Sequence, residues 1–551
     1  MLRTLIARML DGLIGIVLLV VLFVLSTGGG SYRLGDAVRV SVRSVENPLL
    51  ILSLLLLGRY AVRHWGPLFG VRQWQIPLVL DRATRLAHRA HDWTQGVSTR
   101  EGTRFVLLAV VLAFLLKAWF ALSSPGFYSG DDVEIEEMTL GVLLQQPWPV
   151  WDLRNALFPM AFIYPVQWLI FQAGVLDAAA LVAAGRMVVA VLSSLTIWLT
   201  WRIARDWWPG EQGWAVVAAI LVATTKLQVA FGSSELPRPV STLLVLFGFL
   251  LLQHRPARAA AAGVILGCAA CLRFSETVFL IPAAVQLMMN RQPRKALILT
   301  AVALLTIAGL VGLSDRWYWG EPFHSLRAIV EYTIVQGLSS RGYEAPWWYV
   351  TSVHEWANPA VAVLAVLGRR SARSAVWWVV IPIAVLSTLP HKEARYLLPV
   401  TPFLCLMAAA GLRRVILHVR RGPAARWVAG AVLAALILGL VQDVSHYRLP
   451  RTNEEVALIR QIVISTPRPA AIVAEQAWRI GGRLYLDGIP LVDLDPGRMH
   501  DPGYLAERLT PGACVLIDRD TLGHGEVRDV LAARGFRPAS ASAESPYVVW
   551  R

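Results

Sequence analysis

The sequence predicts a polytopic α-helical membrane protein with a small α/β region at its C-terminal end. Three observations carry this. Mean hydropathy is +0.53, and 56% of residues are hydrophobic against 16% charged. A soluble chain of 551 residues is not this apolar. Apolar runs recur along the chain, and the short connectors between them alternate between arginine-rich and acidic or aromatic. The net charge of +15 therefore speaks to membrane topology and not to nucleic acid. Of the basic residues, only Lys117, Lys226, Lys295 and Lys392 are lysines. That arginine bias suggests a GC-rich bacterial genome.

Each element follows in order. A helix needs ~20 mainly apolar residues to cross a bilayer, fewer at the ends of a packed bundle. Thirteen runs meet this: 11–27, 47–63, 103–122, 183–203, 213–230, 238–253, 259–272, 277–290, 296–313, 355–368, 374–389, 396–412 and 426–442. Basic connectors at 82–104, 202–205, 255–258, 291–295, 369–373 and 413–426 then mark the cytoplasmic side. A further run, 160–176, breaks the parity and reads as a re-entrant or interfacial helix, with Tyr164-Pro165 as its break. The result is 13 crossings, with the N-terminus inside and the C-terminus outside. The basic segment 82–104 fits an amphipathic stretch on the cytoplasmic leaflet and fits a solvated linker equally. Cys268 and Cys271 lie in an apolar run without partner ligands, so they read as packing.

Three units result: 1–102, a helix pair with the basic segment; 103–442, the transmembrane module; and 443–551, an extramembrane α/β region. In the last unit, Ala471–Ala474, Leu484–Leu486, Leu491–Leu494, Cys514–Asp518 and Tyr547–Trp550 read as strands. Asn453–Ile464 and Glu526–Arg534 read as helices. No glycine-rich phosphate loop follows any of these strands, which argues against a nucleotide-sugar site.

All the dense polar sites fall on the outward side. Loop 123–160 opens with Asp131, Asp132, Glu134, Glu136 and Glu137. Carboxylates held close raise one another's pKa, which suits a general base or a metal pair. A solvated acidic loop has the same composition, and Asp131 also suits a helix N-cap. The loop continues with Trp151, Asp152 and Arg154, a set suited to sugar stacking and phosphate pairing, or to an interfacial aromatic belt. Loop 314–354 carries Asp315, Arg316, Trp317, Tyr318 and Trp319 at one end and Tyr343, Trp347, Trp348 and Tyr349 at the other. The stretch His391-Lys392-Glu393-Ala394-Arg395 lies between two spans. Charges at a membrane boundary usually face water, a partner or a substrate. An imidazole, an ammonium and a guanidinium together suit a phosphate at the lipid–water boundary.

These motifs, in this order, resemble the glycosyltransferase family 22 mannosyltransferases, which use dolichol- or polyprenyl-phosphate mannose. Asp131-Asp132 matches the family's acidic pair. Trp151-Asp152 with Arg154-Asn155 and Pro159 is similar to its Trp-Glu, Arg-Ser and Pro pattern. Asp315 to Gly320 and Tyr343 to Tyr349 resemble its two aromatic elements, and His391 to Tyr396 resembles its His-Lys-Glu-x-Arg-Phe motif. The chain departs from the family in having Asp-Asp for Asp-Glu, and Glu344 where Gly is usual. The resemblance covers about 103–412 and leaves out the N-terminal pair and the C-terminal region.

The resemblance implies a GT-C fold and an inverting transfer of mannose from a polyprenyl-phosphate donor to a lipid-linked or other glycan acceptor. Asp131 is the implied base, with Asp132 as the alternative. His391, Lys392 and Arg395, with Arg154 and Arg273 in support, are implied to hold the donor phosphate. Trp151, Asp152, Asp315, Tyr318, Tyr343, Trp347 and Trp348 are implied to hold the substrates. No cofactor is required beyond the lipid-phosphate sugar as donor substrate, and no residue set has metal-site spacing, although the acidic cluster leaves a divalent cation open. The implied setting is a bacterial inner membrane with the site on the periplasmic face, among membrane lipids. Two rivals stay open: transfer of another sugar such as arabinose or glucose to protein or lipid, and a lipid-linked glycan flippase.

Overall fold

The computed structural model describes residues 2–27, 30–34, 38–42, 46–61, 89, 92–254, 258–337, 342–419, 423–499, 501–523, 525–539 and 547–551. Residues 82–88, 90 and 91 of the basic segment 82–104, residues 255–257 and 420–422 of the connectors 255–258 and 413–426, and residues 338–341 of loop 314–354 lie outside those residues. The protein is mostly helical, and over their described residues all thirteen apolar runs fall mainly on helix. Among the described residues, four helices are long and apolar enough to cross a membrane: Thr99–Leu122, Ala178–Trp207, Pro293–Tyr318 and Ala394–Leu417. The others are shorter apolar helices.

Some runs are broken for identifiable reasons. The run 213–230 divides into Gln212–Ala223 and Lys226–Phe231. At the break, the hydroxyls of Thr224 and Thr225 donate back to the carbonyls of Ile220 and Leu221. Such back-bonding competes with the helix ladder. The run 160–176 forms a π-turn, Pro159–Ile163, continued by a helix, Tyr164–Gln172. Segments of 5 and 9 residues rise ~21 Å together, short of a ~30 Å hydrocarbon core.

The N-terminal helices Leu2–Thr27 and Glu46–Ala61 pack together around Ile14, Val21, Leu52 and Leu56. A buried pair, Arg59 Nε to Asp11 Oδ1 at 2.6 Å, joins them. Between them run β1 (Gly30–Leu34) and β2 (Val38–Val42), paired antiparallel.

Beyond residue 447, strands β3 (Ile472–Glu475), β4 (Leu491–Leu494), β5 (Cys514–Asp518) and β6 (Tyr547–Trp550) form one sheet in the order β4-β3-β5-β6. β3 is parallel to β4 and β5, and β5 is antiparallel to β6. β3 is buried along its whole length and β5 along nearly all of it. Both faces of the sheet are therefore covered. One face packs on the helices Pro502–Arg508 and Gly525–Ala533 through Val473, Val515, Leu505 and Leu531. The other shares a core with Phe127, Val133, Leu140 and Leu181 of the helical part. The expected strand Leu484–Leu486 is instead a buried turn. Positive φ angles at Gly481, Gly482, Asp487 and Gly488 keep the chain from extending on either side of it.

The two parts are joined by polar contacts as well. Gly126 N donates to Asn453 Oδ1 at 2.9 Å, and Thr452 N donates to the Phe127 carbonyl at 3.1 Å. The backbone of Thr452 and Asn453 occupies the space that a Cβ at position 126 would need, so only glycine permits this approach. Arg186, from helix Ala178–Trp207, donates from Nε and Nη2 to Glu235 at 2.9 and 2.7 Å. It also donates to the carbonyls of Ser124 and Gly126. Arg186→Ala strands Glu235 in the interior, at an expected cost of ~3–5 kcal/mol. Arg468→Ala breaks an exposed pair with Asp487 and should cost under ~1 kcal/mol. Thermal unfolding in detergent tests the contrast, and equal shifts for the two variants would contradict it.

Candidate active site

The acidic cluster folds as one helix, Gly130–Leu143, and its side chains divide three ways. Ser129 holds the N-cap position, so the N-cap reading of Asp131 is corrected: Asp131 lies in the first turn. It is 15% exposed and is gripped on both oxygens. Arg154 Nη2 donates to its Oδ1 at 2.6 Å, and Arg395 Nη2 donates to its Oδ2 at 3.0 Å. Arg154 also donates through Nε to Glu134, and Arg395 through Nε to Glu393. The result is an alternating chain of charge, Glu134–Arg154–Asp131–Arg395–Glu393, drawn from two distant stretches of sequence. Burial works against the Arg154 charge, but Asp131 and Glu134 outweigh it, and its pKa is raised.

Asp132 and Glu136 turn the other way and are fully buried. Ser129 Oγ donates to Asp132 Oδ1 at 2.9 Å, while Oδ2 has no hydrogen-bond partner. Burial pushes the Asp132 carboxyl up to about 7, with repulsion from Glu235 adding to it. Glu136 is raised for the same two reasons, in the same order. Gln167 Nε2 donates to it at 2.5 Å. Glu137 points toward the C-terminal region, where the Arg483 amide donates to its Oε1 at 3.0 Å. Burial pushes this carboxyl up to about 7 as well, against the pull of Arg483.

The cationic motif is arranged by the chain around it. Lys392 Nζ donates to the carbonyls of Glu344 at 2.9 Å and Leu389 at 2.6 Å. The Glu344 amide returns a bond to the Pro390 carbonyl at 3.0 Å. Lys392 thus ties segment 343–346 to 389–392, and burial lowers its pKa. Glu393 bonds Arg395 and His391. Asp315 is fully buried and accepts from the Ser325 amide at 2.9 Å and from its hydroxyl. It anchors the start of loop 314–354. Trp319 Nε1 donates to the Arg154 carbonyl at 3.1 Å, so that loop braces the strip carrying Trp151 and Arg154. Trp151 meets Tyr332 edge-on, with centroids 5.2 Å apart, and the Arg154 guanidinium lies 5.5 Å from its ring centre. Among the described residues, no three His, Cys, Asp or Glu side chains group as metal ligands would.

Residues 134–458, more than half the chain, match the family model of the Alg9-like mannosyltransferases. The chain belongs to the Alg9-like mannosyltransferase family. Its fold is similar to ArnT from Cupriavidus metallidurans, seen in crystal structures bound to undecaprenyl phosphate and in the apo state. Identity is 16% and the TM-score 0.54, over 81% of this chain and 98% of ArnT. The arabinofuranosyltransferase AftD from Mycobacteria, seen by cryo-EM, is 14% identical with a TM-score of 0.50, over 83% of this chain and 40% of AftD. No curated protein sequence matches the chain. This Alg9-like protein is a membrane glycosyltransferase of GT-C fold.

Within this family member, the sequence-named residues separate into groups. Asp131, Arg154 and Arg395 are bonded together, with Trp151 alongside. Asp132 backs onto the interior, and Lys392 and Asp315 are engaged in holding loops. Asp152, Tyr343 and Trp347 are exposed, Tyr318 and Trp348 half-buried. Arg186, Glu235, Arg238 and Glu276 are buried charges that are not among the site candidates of the sequence. Arg186 lies inside an apolar run, which is itself a signal, because a charge there needs a partner or a function.

The raised carboxyls carry a pH signature. A group whose folded pKa is raised contributes stability that is complete below its unfolded value, about 3.9 for Asp, and lost as pH rises through the folded value. For Asp132 and Glu137 that loss runs from the unfolded carboxyl range up to pH about 7, where it is complete. The melting midpoint in detergent should fall from pH 5 to pH 8, and Asp132→Asn should flatten the slope. An unchanged slope in Asp132→Asn would show that Asp132 titrates in its ordinary range.

Proposed function

We propose that this protein transfers mannose from polyprenyl-phosphate mannose to the hydroxyl of a lipid-linked or other glycan acceptor, with inversion at the anomeric carbon. The observation that carries the reading is Asp131 held between Arg154 and Arg395, which joins the acidic loop to the cationic motif. Asp131 is the general base. It is partly exposed, and its oxygens are oriented by two guanidinium groups, whereas Asp132 presents no surface to an acceptor. As the acceptor oxygen bonds to the anomeric carbon, its proton passes to Asp131. The bond from that carbon to the phosphate oxygen breaks on the opposite face, and the electron pair leaves with the lipid phosphate.

That leaving group needs charge stabilisation and no proton. Arg395 and Arg273 supply it, with His391 at the rim, while Lys392 keeps segment 343–346 in place. Trp151, Asp152, Tyr318, Tyr343, Trp347 and Trp348 line the approach of the two substrates. The reaction uses no metal. The chain crosses a bacterial inner membrane 13 times, the N-terminus is cytoplasmic, and the site and region 443–551 face the periplasm.

Purified protein given polyprenyl-phosphate mannose and a lipid-glycan extract should transfer the sugar, and EDTA should leave the rate unchanged. Asp131→Asn should cost ~10²–10⁴ in rate, and Arg395→Gln ~10²–10³. Transfer from the glucose or arabinose donor instead would replace the sugar. Movement of lipid-linked glycan across liposomes, intact in Asp131→Asn, would replace the reaction with transport.

A further inference from the structure

Arg238 starts the helix Arg238–His254, just beyond the turn that carries Glu235. It is 3% exposed. The nearest ion-pair contact is Glu276 Oε1, 3.8 Å from Nη1, too far for a hydrogen bond, and Nη1 has no hydrogen-bond partner. Glu276 is already engaged by the Ser241 hydroxyl at 2.9 Å and the Ser275 hydroxyl at 2.5 Å. The Arg238 guanidinium lies 4.1 Å from the Tyr396 ring centre. The cations Arg273 and Arg395 repel it from close by.

Arg395 is 4% exposed, and its own Nη1 is likewise without a partner. Buried donors left unpaired are costly and uncommon, so two of them on adjacent like charges call for an acceptor. The two arginines differ in charge balance. Arg395 carries two carboxylates, Asp131 and Glu393. Among the described residues, Arg238 has one carboxylate within ion-pair range, Glu276 at 3.8 Å. Excess positive charge therefore collects on the Arg238 side of Arg395, which itself holds the carboxylate proposed as the base.

We propose that Arg238 binds the phosphate of the lipid carrier and takes up the charge that develops on it as the sugar leaves. This rests on the transferase reading above. The donor is a phosphodiester with a single negative charge. The product is a phosphomonoester that carries close to two above pH ~6. A guanidinium with a free edge, clamped over an aromatic ring, is suited to that added charge. Arg238 therefore contributes more to product and transition state than to bound donor.

The test measures binding of farnesyl phosphate, with farnesol and inorganic phosphate as separate arms, and transfer from the mannosyl donor. Arg238→Gln should weaken farnesyl phosphate at least tenfold at pH 8 and much less at pH 5.5, where the ligand holds one charge. It should lower kcat more than it raises the donor KM. Arg238→Lys should recover part of both. Glu276→Gln, which removes the counter-charge, should bind farnesyl phosphate as tightly as wild type or more so. Equal binding by wild type and folded Arg238→Gln would overturn the proposal, as would Glu276→Gln losing binding in step with it, because the pair would then be structural. Inorganic phosphate binding as well as farnesyl phosphate would also overturn it in favour of a general anion site. Wild type that binds farnesyl phosphate through Arg238 but transfers no sugar would leave this assignment standing and remove the transferase reading. Wild type that binds no lipid phosphate would remove both.

Discussion

Arg186 is the buried charge on which the loop end of the bundle depends. Nothing in an apolar helix packing scheme favours a guanidinium, and leaving one unpaired in a low-dielectric interior is prohibitive. The fold resolves this by bringing Glu235 and the carbonyls of Ser124 and Gly126 to it. The same contacts set where the chain leaves the helix Thr99–Leu122, and so where the acidic helix begins. Phe127, whose ring lies 5.2 Å from the Arg186 guanidinium, is pinned at that point and enters the core shared with the sheet.

Around this anchor the charges separate by depth. One group, Asp132, Glu136 and Glu235 with Arg186, is sealed inside. The other, Glu134, Arg154, Asp131, Arg395 and Glu393, is partly open. A single helical turn divides them, because neighbouring positions on a helix face different ways. Asp131 and Asp132 are therefore chemically distinct although adjacent. One is a partly exposed carboxylate oriented by two guanidinium groups, the other a buried group that keeps its proton to about pH 7. The C-terminal region contributes to this division. Arg483 holds Glu137, and Tyr485 donates to the Pro125 carbonyl at 2.7 Å. The sheet thus fixes the acidic helix from outside as Arg186 fixes it from within.

Much of this was legible in the chain. Apolar runs report helices directly, since burying or solvating a helix in lipid requires continuous apolar length, and the described residues of all thirteen fall mainly on helix. Strands β3 to β6 were legible too, as short apolar stretches between turns. Leu484–Leu486 was misread because its apolarity reflects a buried turn, and backbone angles at glycines are not written in hydropathy. At the site, Asp131, Arg154 and Arg395 were identified by type and motif. Glu235 and Arg238 carry little signal because Glu235-Leu-Pro-Arg238 is a lone pair of opposite charges between apolar stretches, away from the dense clusters.

The helical membrane character, the family and the set of charges at the ends of the apolar runs are all written in the chain, because composition and motif are local properties. Which of these charges meet is a matter of packing. Arg395 reaches Asp131 across 264 positions, and Lys392, read from its motif as a phosphate ligand, is turned onto two carbonyls. The reason is physical. Pairing energies in a low-dielectric interior depend on distances of a few ångströms, and those are set by how helices distant in sequence pack together.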